Sequence, residues 1–169
     1  MKPKVELLSQ ILRDLESEIG TSDLATMALI ALVDALRALK VKSSKEFCVQ
    51  FHALMKVVTS TEPKFGILNH HFNALYKYFS ETICCRDCRE EEWKKEAIES
   101  VNDILIRAQQ EKSRLVHESE KLNLEGKTIL IHDHSHTVQR VLTHIKNMDK
   151  NFKVVIAEQD FEKTHSNIE

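Results

Sequence analysis

Two groups of side chains in this 169-residue chain have the residue types for chemistry: the run His132-Asp133-His134-Ser135-His136 and the thiols Cys84, Cys85 and Cys88. Imidazoles and a carboxylate can ligate a metal or move a proton. In extended backbone alternate residues share a face, which would place His132, His134 and His136 together. A zinc site draws a complete ligand set, usually with members from elsewhere in the chain. None is evident, so the run reads as a polar loop, with no metal and no cofactor expected. Cys85-Arg86-Asp87-Cys88 offers half of a four-cysteine site and has no second CxxC to complete it. It also lacks the preceding strand of a thioredoxin-like motif. His70 and His71 could complete a Cys/His set if their helix met the thiols; plain thiols at a helix junction are the simpler expectation. Four cysteines, Cys48 included, in a chain of this size do not make a disulfide framework, and reduced thiols are expected.

The elements around the histidine run give it a position. Thr128-Ile129-Leu130-Ile131 is an apolar run, Val138, Val141, Leu142 and Ile145 recur at helical spacing, and Val154-Val155-Ile156-Ala157 is a second apolar run. Together they predict a strand–helix–strand unit, entered through Gly126. In parallel α/β units ligands sit beyond the carboxyl ends of the strands, where this run falls. His132, Asp133, His134 and Ser135 are therefore the candidate ligand-binding residues. The helix start from Ser135 to Val138 favours an anion such as a sugar phosphate or a nucleotide.

Before residue 123 the pattern is helical. Leu8, Ile11, Leu12, Leu15 and Ile19 form one stripe that Gly20 ends, and Thr21, Ser22 and Asp23 are candidate caps for a buried helix over Leu24 to Leu39. Ser43 or Ser44, with Glu46, opens a third helix through Phe47, Phe51, Leu54, Met55 and Val58, interrupted at Thr61-Glu62-Pro63. A fourth runs from near Lys64 through Leu68, Phe72, Leu75, Tyr76 and Phe79. The row Phe65, Phe72, Tyr76 and Phe79 reads as bundle core rather than a stacking platform. Trp93, Ala97, Val101, Ile104, Leu105, Ala108, Leu115 and Val116 mark a long helix between Arg89 and Lys121, with an acid-rich first turn and Glu/Lys pairs. His52, His117, His144 and His165 read as surface or interface histidines.

Composition narrows the class. Apolar residues make up 42% of the chain, and three Gly with two Pro are too few turn formers for an all-β protein. A formal charge of -2 gives no basic footprint for direct nucleic-acid binding or for an anionic membrane. No apolar run spans a bilayer and the charged N-terminal stretch does not read as a signal peptide, so a cytoplasmic protein is expected.

The junction carries a resemblance. A long helix, Leu124-Glu125-Gly126-Lys127, the strand Thr128 to His132, a Ser, the helix Val138-Gln139-Arg140-Val141-Leu142, and Phe152-Lys153-Val154-Val155-Ile156-Ala157-Glu158 together resemble the translation initiation factor 2B alpha/beta/delta family. That superfamily includes the ribose-1,5-bisphosphate and methylthioribose-1-phosphate isomerases. The resemblance implies an N-terminal helical domain followed by a Rossmann-like domain. Where the isomerases carry a catalytic cysteine after the strand, this chain has Asp133, and a carboxylate does not replace a thiolate nucleophile. A family glycine position holds His136, and Gly20 to Ala25 does not resemble the isomerases' phosphate-holding loop. The run Ser135 to Leu142 is closer to the regulatory alpha subunit. Family members are longer and add further parallel strands. A natural short paralogue, a fragment, and a sheet completed by another chain are the three explanations for two strands alone.

The expected fold is mostly α: a helical domain over 1–122 with a long spine helix, then a partial parallel β-α-β, Rossmann-like unit over 123–169. The expected function is a non-catalytic regulatory or assembly module with no catalytic residue. The alternative is a phosphosugar- or nucleotide-binding enzyme of the isomerase branch. Expected partners are a second copy or a longer family relative, and a translation initiation factor.

Overall fold

The computed structural model describes residues 2–157 except 87, 133, 134 and 149. Its element order is α1 Lys2–Ile19, α2 Thr21–Ala38, α3 Ser44–Thr59, α4 Gly66–Thr82, α5 Glu90–Ser119, β1 Thr128–Ile131, α6 His136–Lys146 and β2 Lys153–Ile156. The chain is thus mostly helical with a partial β-α-β unit, as its periodicities predict. It divides by compactness into two units, 1–108 and 109–169, the division falling inside α5. The loop at 123–126 marks a change of element, whereas the last turns of α5 belong with the strands that follow them.

In the first unit α2 packs on α4, α4 on α3, and α1 on α2 and α3. Leu24, Leu29, Val33 and Leu36 of α2 are buried, as are Phe47, Phe51 and Met55 of α3 and Leu68, Phe72, Leu75 and Phe79 of α4. The first half of α5 adds Trp93, Ala97, Val101 and Ile104 at three- and four-residue steps along one face. Phe47 stacks on Trp93 with ring centroids 4.6 Å apart and meets Phe79 edge-on at 5.4 Å. Phe65, Phe72 and Phe79 are core, as predicted. Tyr76 is half-buried and its hydroxyl pairs with His52 Nδ1 at 2.9 Å.

The helix boundaries follow from local hydrogen bonding. Gly20 has φ 78°, a left-handed value that glycine adopts without a Cβ penalty. Its N–H donates to Glu16 O at 2.8 Å and its carbonyl accepts from Leu24 N at 3.0 Å, so one residue ends α1 and opens α2. Thr21, Ser22 and Asp23 consequently lie inside α2 and no side chain caps it; Thr21 Oγ1 instead donates to Glu16 Oε1 at 2.6 Å. Nor is α2 buried all round, since Met27 and Ile30 are about half exposed. Ser43 caps α3, its Oγ accepting from Glu46 N at 3.2 Å. The interruption at residues 61–63 contains a cis Glu62–Pro63 peptide, and α4 starts at Gly66. α5 is 30 residues long, ~45 Å at 1.5 Å per residue. Lys94 anchors its start by donating to Glu90 Oε1 at 3.1 Å and to Leu39 O at 2.8 Å.

The thiols depart from expectation. Cys48 of α3 and Cys84, just past α4, form a disulfide with Cα atoms 5.9 Å apart; Cys85 and Cys88 are free. Spacing along the chain gave no sign of this pair. It arises because α3 and α4 pack side by side and bring residues 36 positions apart into register.

In the second unit β1 and β2 pair in parallel, Thr128 against Lys153 through Ile131 against Ile156. Lys153 N donates to Lys127 O at 2.9 Å and Ala157 N to Ile131 O at 2.8 Å. Gly126, at φ 68°, turns the chain into β1, its N–H donating to Asn151 O at 2.7 Å. Ile145 of α6 is fully buried, while Leu130, Val154 and Val155 are 66%, 41% and 48% exposed. Alternate strand residues face opposite ways, so the paired Leu130 and Val155 lie on one face, and both are exposed there.

Candidate functional site

β1 delivers its last residues to the end of the parallel pair, where Ile131 sits opposite Ile156. His132 follows directly and is exposed. Asp133 and His134 lie outside the described residues. Ser135 is extended, with φ −147° and ψ 111°, and caps α6: its Oγ accepts from Val138 N at 3.4 Å and its carbonyl from Gln139 N at 2.9 Å. Polar β-region residues that fold back on the next turn are good helix initiators, which is why the helix begins at His136. The first N–H groups of a helix lack intrahelical acceptors and carry partial positive charge. The α6 start therefore follows β1 in the chain, with Ser135 as its cap and His132 exposed just past the strand. This arrangement offers hydrogen-bond donors to an anion. His136 is the first residue of α6, so it does not extend the strand that ends at Ile131. Among the described residues no group of three or more His, Cys, Asp and Glu side chains could hold a metal ion.

A second polar node in this unit was not legible in the sequence. Glu120, at the end of α5, accepts from His144 Nε2 of α6 at 2.9 Å, and His117 Nδ1 lies 3.4 Å from the same oxygen. The hydrogen bond from His144 holds the Glu120 carboxyl below the usual glutamate range, with His117 adding to it and partial desolvation opposing. Lys150 Nζ donates to Glu120 O at 2.8 Å and Leu122 O at 3.2 Å, supplying a cation to the carbonyl end of α5. His144, read as a surface or interface histidine, thus joins α6 to the end of α5, and His117 braces the same carboxylate from within α5. Helical periodicity could not reveal a partner 24 residues away.

In the first unit a cleft of about 270 Å³ is lined by Leu75, Tyr78, Glu96, Glu99, Asp103 and Arg107 among others. Tyr78 donates to Glu96 Oε1 at 3.3 Å, and its phenol is pushed up first by burial and then by the charge on Glu96. Arg86 also pairs with Glu96. Glu96 thus has partners of its own, and the pairs Arg89–Glu92 and Glu90–Lys94 brace the first turn of α5.

Comparison with known proteins bears on this frame. The family model for initiation factor 2 subunits matches residues 17–160, which covers both units. The chain belongs to the initiation factor 2 subunit family. The initiation factor 2 subunit match runs from the end of α1 through β2. No curated protein matches the chain. Among the described residues no helix is long and apolar enough to cross a membrane.

Proposed function

We propose that this chain is a non-catalytic regulatory or assembly module, resembling the alpha subunit of translation initiation factor 2B, that works by joining a second copy or a longer family relative. The observation carrying this reading is the open sheet. Two parallel strands pair with each other, and Leu130 and Val155 on one of their faces are 66% and 48% exposed. Parallel sheets are found almost only with both faces covered, and isolated strand pairs are marginal in water. An additional strand or helix from a partner would supply the missing cover. Asp133, at the position of the isomerases' cysteine, supports a role without nucleophilic catalysis. A translation initiation factor is the further partner this assembly would meet in the cytoplasm.

The α6 start beside His132 favours a second reading, a sugar phosphate or nucleotide held by an enzyme of the isomerase branch. The two readings separate in one experiment. Leu130→Lys with Val155→Lys leaves secondary structure unchanged by circular dichroism and abolishes concentration-dependent association in light scattering, alone and with a co-expressed longer family member. A wild-type chain that stays monomeric and does not join that relative, yet is stabilised by a ribose phosphate, overturns the assembly reading in favour of the second.

A further inference from the structure

The turn between α4 and α5 holds three of the four cysteines and is tied on two sides. Cys84 is bridged to Cys48 in α3, and the fully buried Ser44, at the start of α3, donates from Oγ to Arg86 O at 2.7 Å. Arg86 in turn pairs with Glu96 on α5. Two free thiols sit in the same turn. Cys85 is exposed and its Sγ donates back to Glu81 O at 2.8 Å, with Thr82 O at 3.5 Å. Cys88 is half-buried and packs against the same apolar core as Cys48 and Cys84. A free thiol four residues along the chain from one sulfur of a disulfide, with all three cysteines packed against the same core, has the chain reach for thiol–disulfide exchange.

We propose that the Cys48–Cys84 bridge is one position of a two-position disulfide switch, with Cys88 as the exchanging thiol. The Cys88 thiolate attacks Cys84 Sγ, a Cys84–Cys88 bond forms as the Cys48–Cys84 bond breaks, and Cys48 leaves as a thiolate. The proton Cys88 gives to solvent is balanced by one taken up at Cys48. One disulfide replaces another, so no oxidant or reductant is consumed. Cys85 does not fill this role for two reasons. Its Cα is about 3.8 Å from that of Cys84 across one trans peptide, below the usual disulfide span of roughly 4.4–6.8 Å. Its Sγ is also engaged with the carbonyls of the last turn of α4. In the first position α3 is covalently joined to the turn that starts α5. In the second the turn is closed on itself, and the Ser44 hydrogen bond with the Phe47–Trp93 stack holds α3 in place.

The test uses the oxidised full-length chain without reductant, alkylated over time and digested under non-reducing conditions for mass spectrometry. A Cys85→Ser background makes the linked sulfur at position 84 unambiguous. Expected are a Cys84–Cys88 linked peptide and slow alkylation of Cys48 in that background, at a rate within about twofold of the wild-type chain. Cys88→Ser slows Cys48 alkylation by about tenfold or more and removes the second linkage. Misfolding of that variant would speed Cys48 alkylation, so a slowing reports exchange. Cys48 labelling that does not depend on Cys88, loss of exchange on Cys85→Ser alone, or four thiols free throughout would each overturn the proposal.

Discussion

The helical unit and the strand unit use apolar residues in opposite ways. In the first, α3, α4 and α5 meet at Phe47, Phe79 and Trp93, which are 1%, 1% and 0% exposed. In the second, Ile145 is the fully buried apolar side chain among the described residues, while Leu130 remains two-thirds exposed. Both units are apolar in sequence, so hydrophobicity alone does not separate them. What differs is the number of elements available to cover a face. Four helices and half of a fifth close around a core, whereas two strands and one helix bury Ile145 and leave Leu130 and Val155 exposed.

That contrast can be broken from either side. The largest effect is expected for Trp93→Ala, which empties the centre of the helical unit and costs about 3–5 kcal/mol of its stability. Denaturant unfolding followed by amide exchange should show protection lost across α2 to α4. Unchanged exchange in α3 would mean that the aromatic stack is not the keystone of that core. Ile145→Ala removes the anchor of α6 and costs about 2–5 kcal/mol in the second unit. Its loss of exchange protection is expected in β1, α6 and β2, with α2 to α4 unaffected. Equal loss in both units would show that they unfold as one body and erase the comparison.

The smallest effect concerns pH. The Glu120 carboxyl is held below its ordinary value of 4.5, first by the hydrogen bond from His144. A carboxylate lowered in the folded state contributes stability above its unfolded pKa, and that contribution is lost as pH falls through the folded value. Glu120→Gln should therefore weaken the second unit at neutral pH, and the difference from wild type should shrink as pH falls below the normal glutamate range. Thermal melts of both proteins across that interval give the check. A gap that is constant with pH would assign the role of Glu120 to packing.

Much of the architecture was legible because period carries it. The steps Trp93, Ala97, Val101 and Ile104 fix a helix and its buried face, whereas the stripe from Leu8 to Ile19 fixes a helix but has only Leu12 buried, with Ile11 44% exposed. The alternation of apolar runs around Ser135 fixes the β-α-β unit and the cap of α6. Start points were less legible. Thr21, Ser22 and Asp23 have the composition of a cap, but the carbonyl of Gly20 is already the first acceptor of α2, which moves the helix start ahead of them. Long-range pairs left no local mark: Cys48 with Cys84, Glu120 with His144 and Ser44 with Arg86 join residues 36, 24 and 42 positions apart. Of the candidate ligand residues, Ser135 has an observed role as a helix cap and His132 lies exposed beside it.

Gly126 has nothing within 4 Å of where a Cβ would stand, yet its φ of 68° is one that L side chains rarely adopt. The entrance to β1 is thus selective for handedness and indifferent to volume. An alanine has room there and is still strained, because the cost lies in the backbone and not in the space around it.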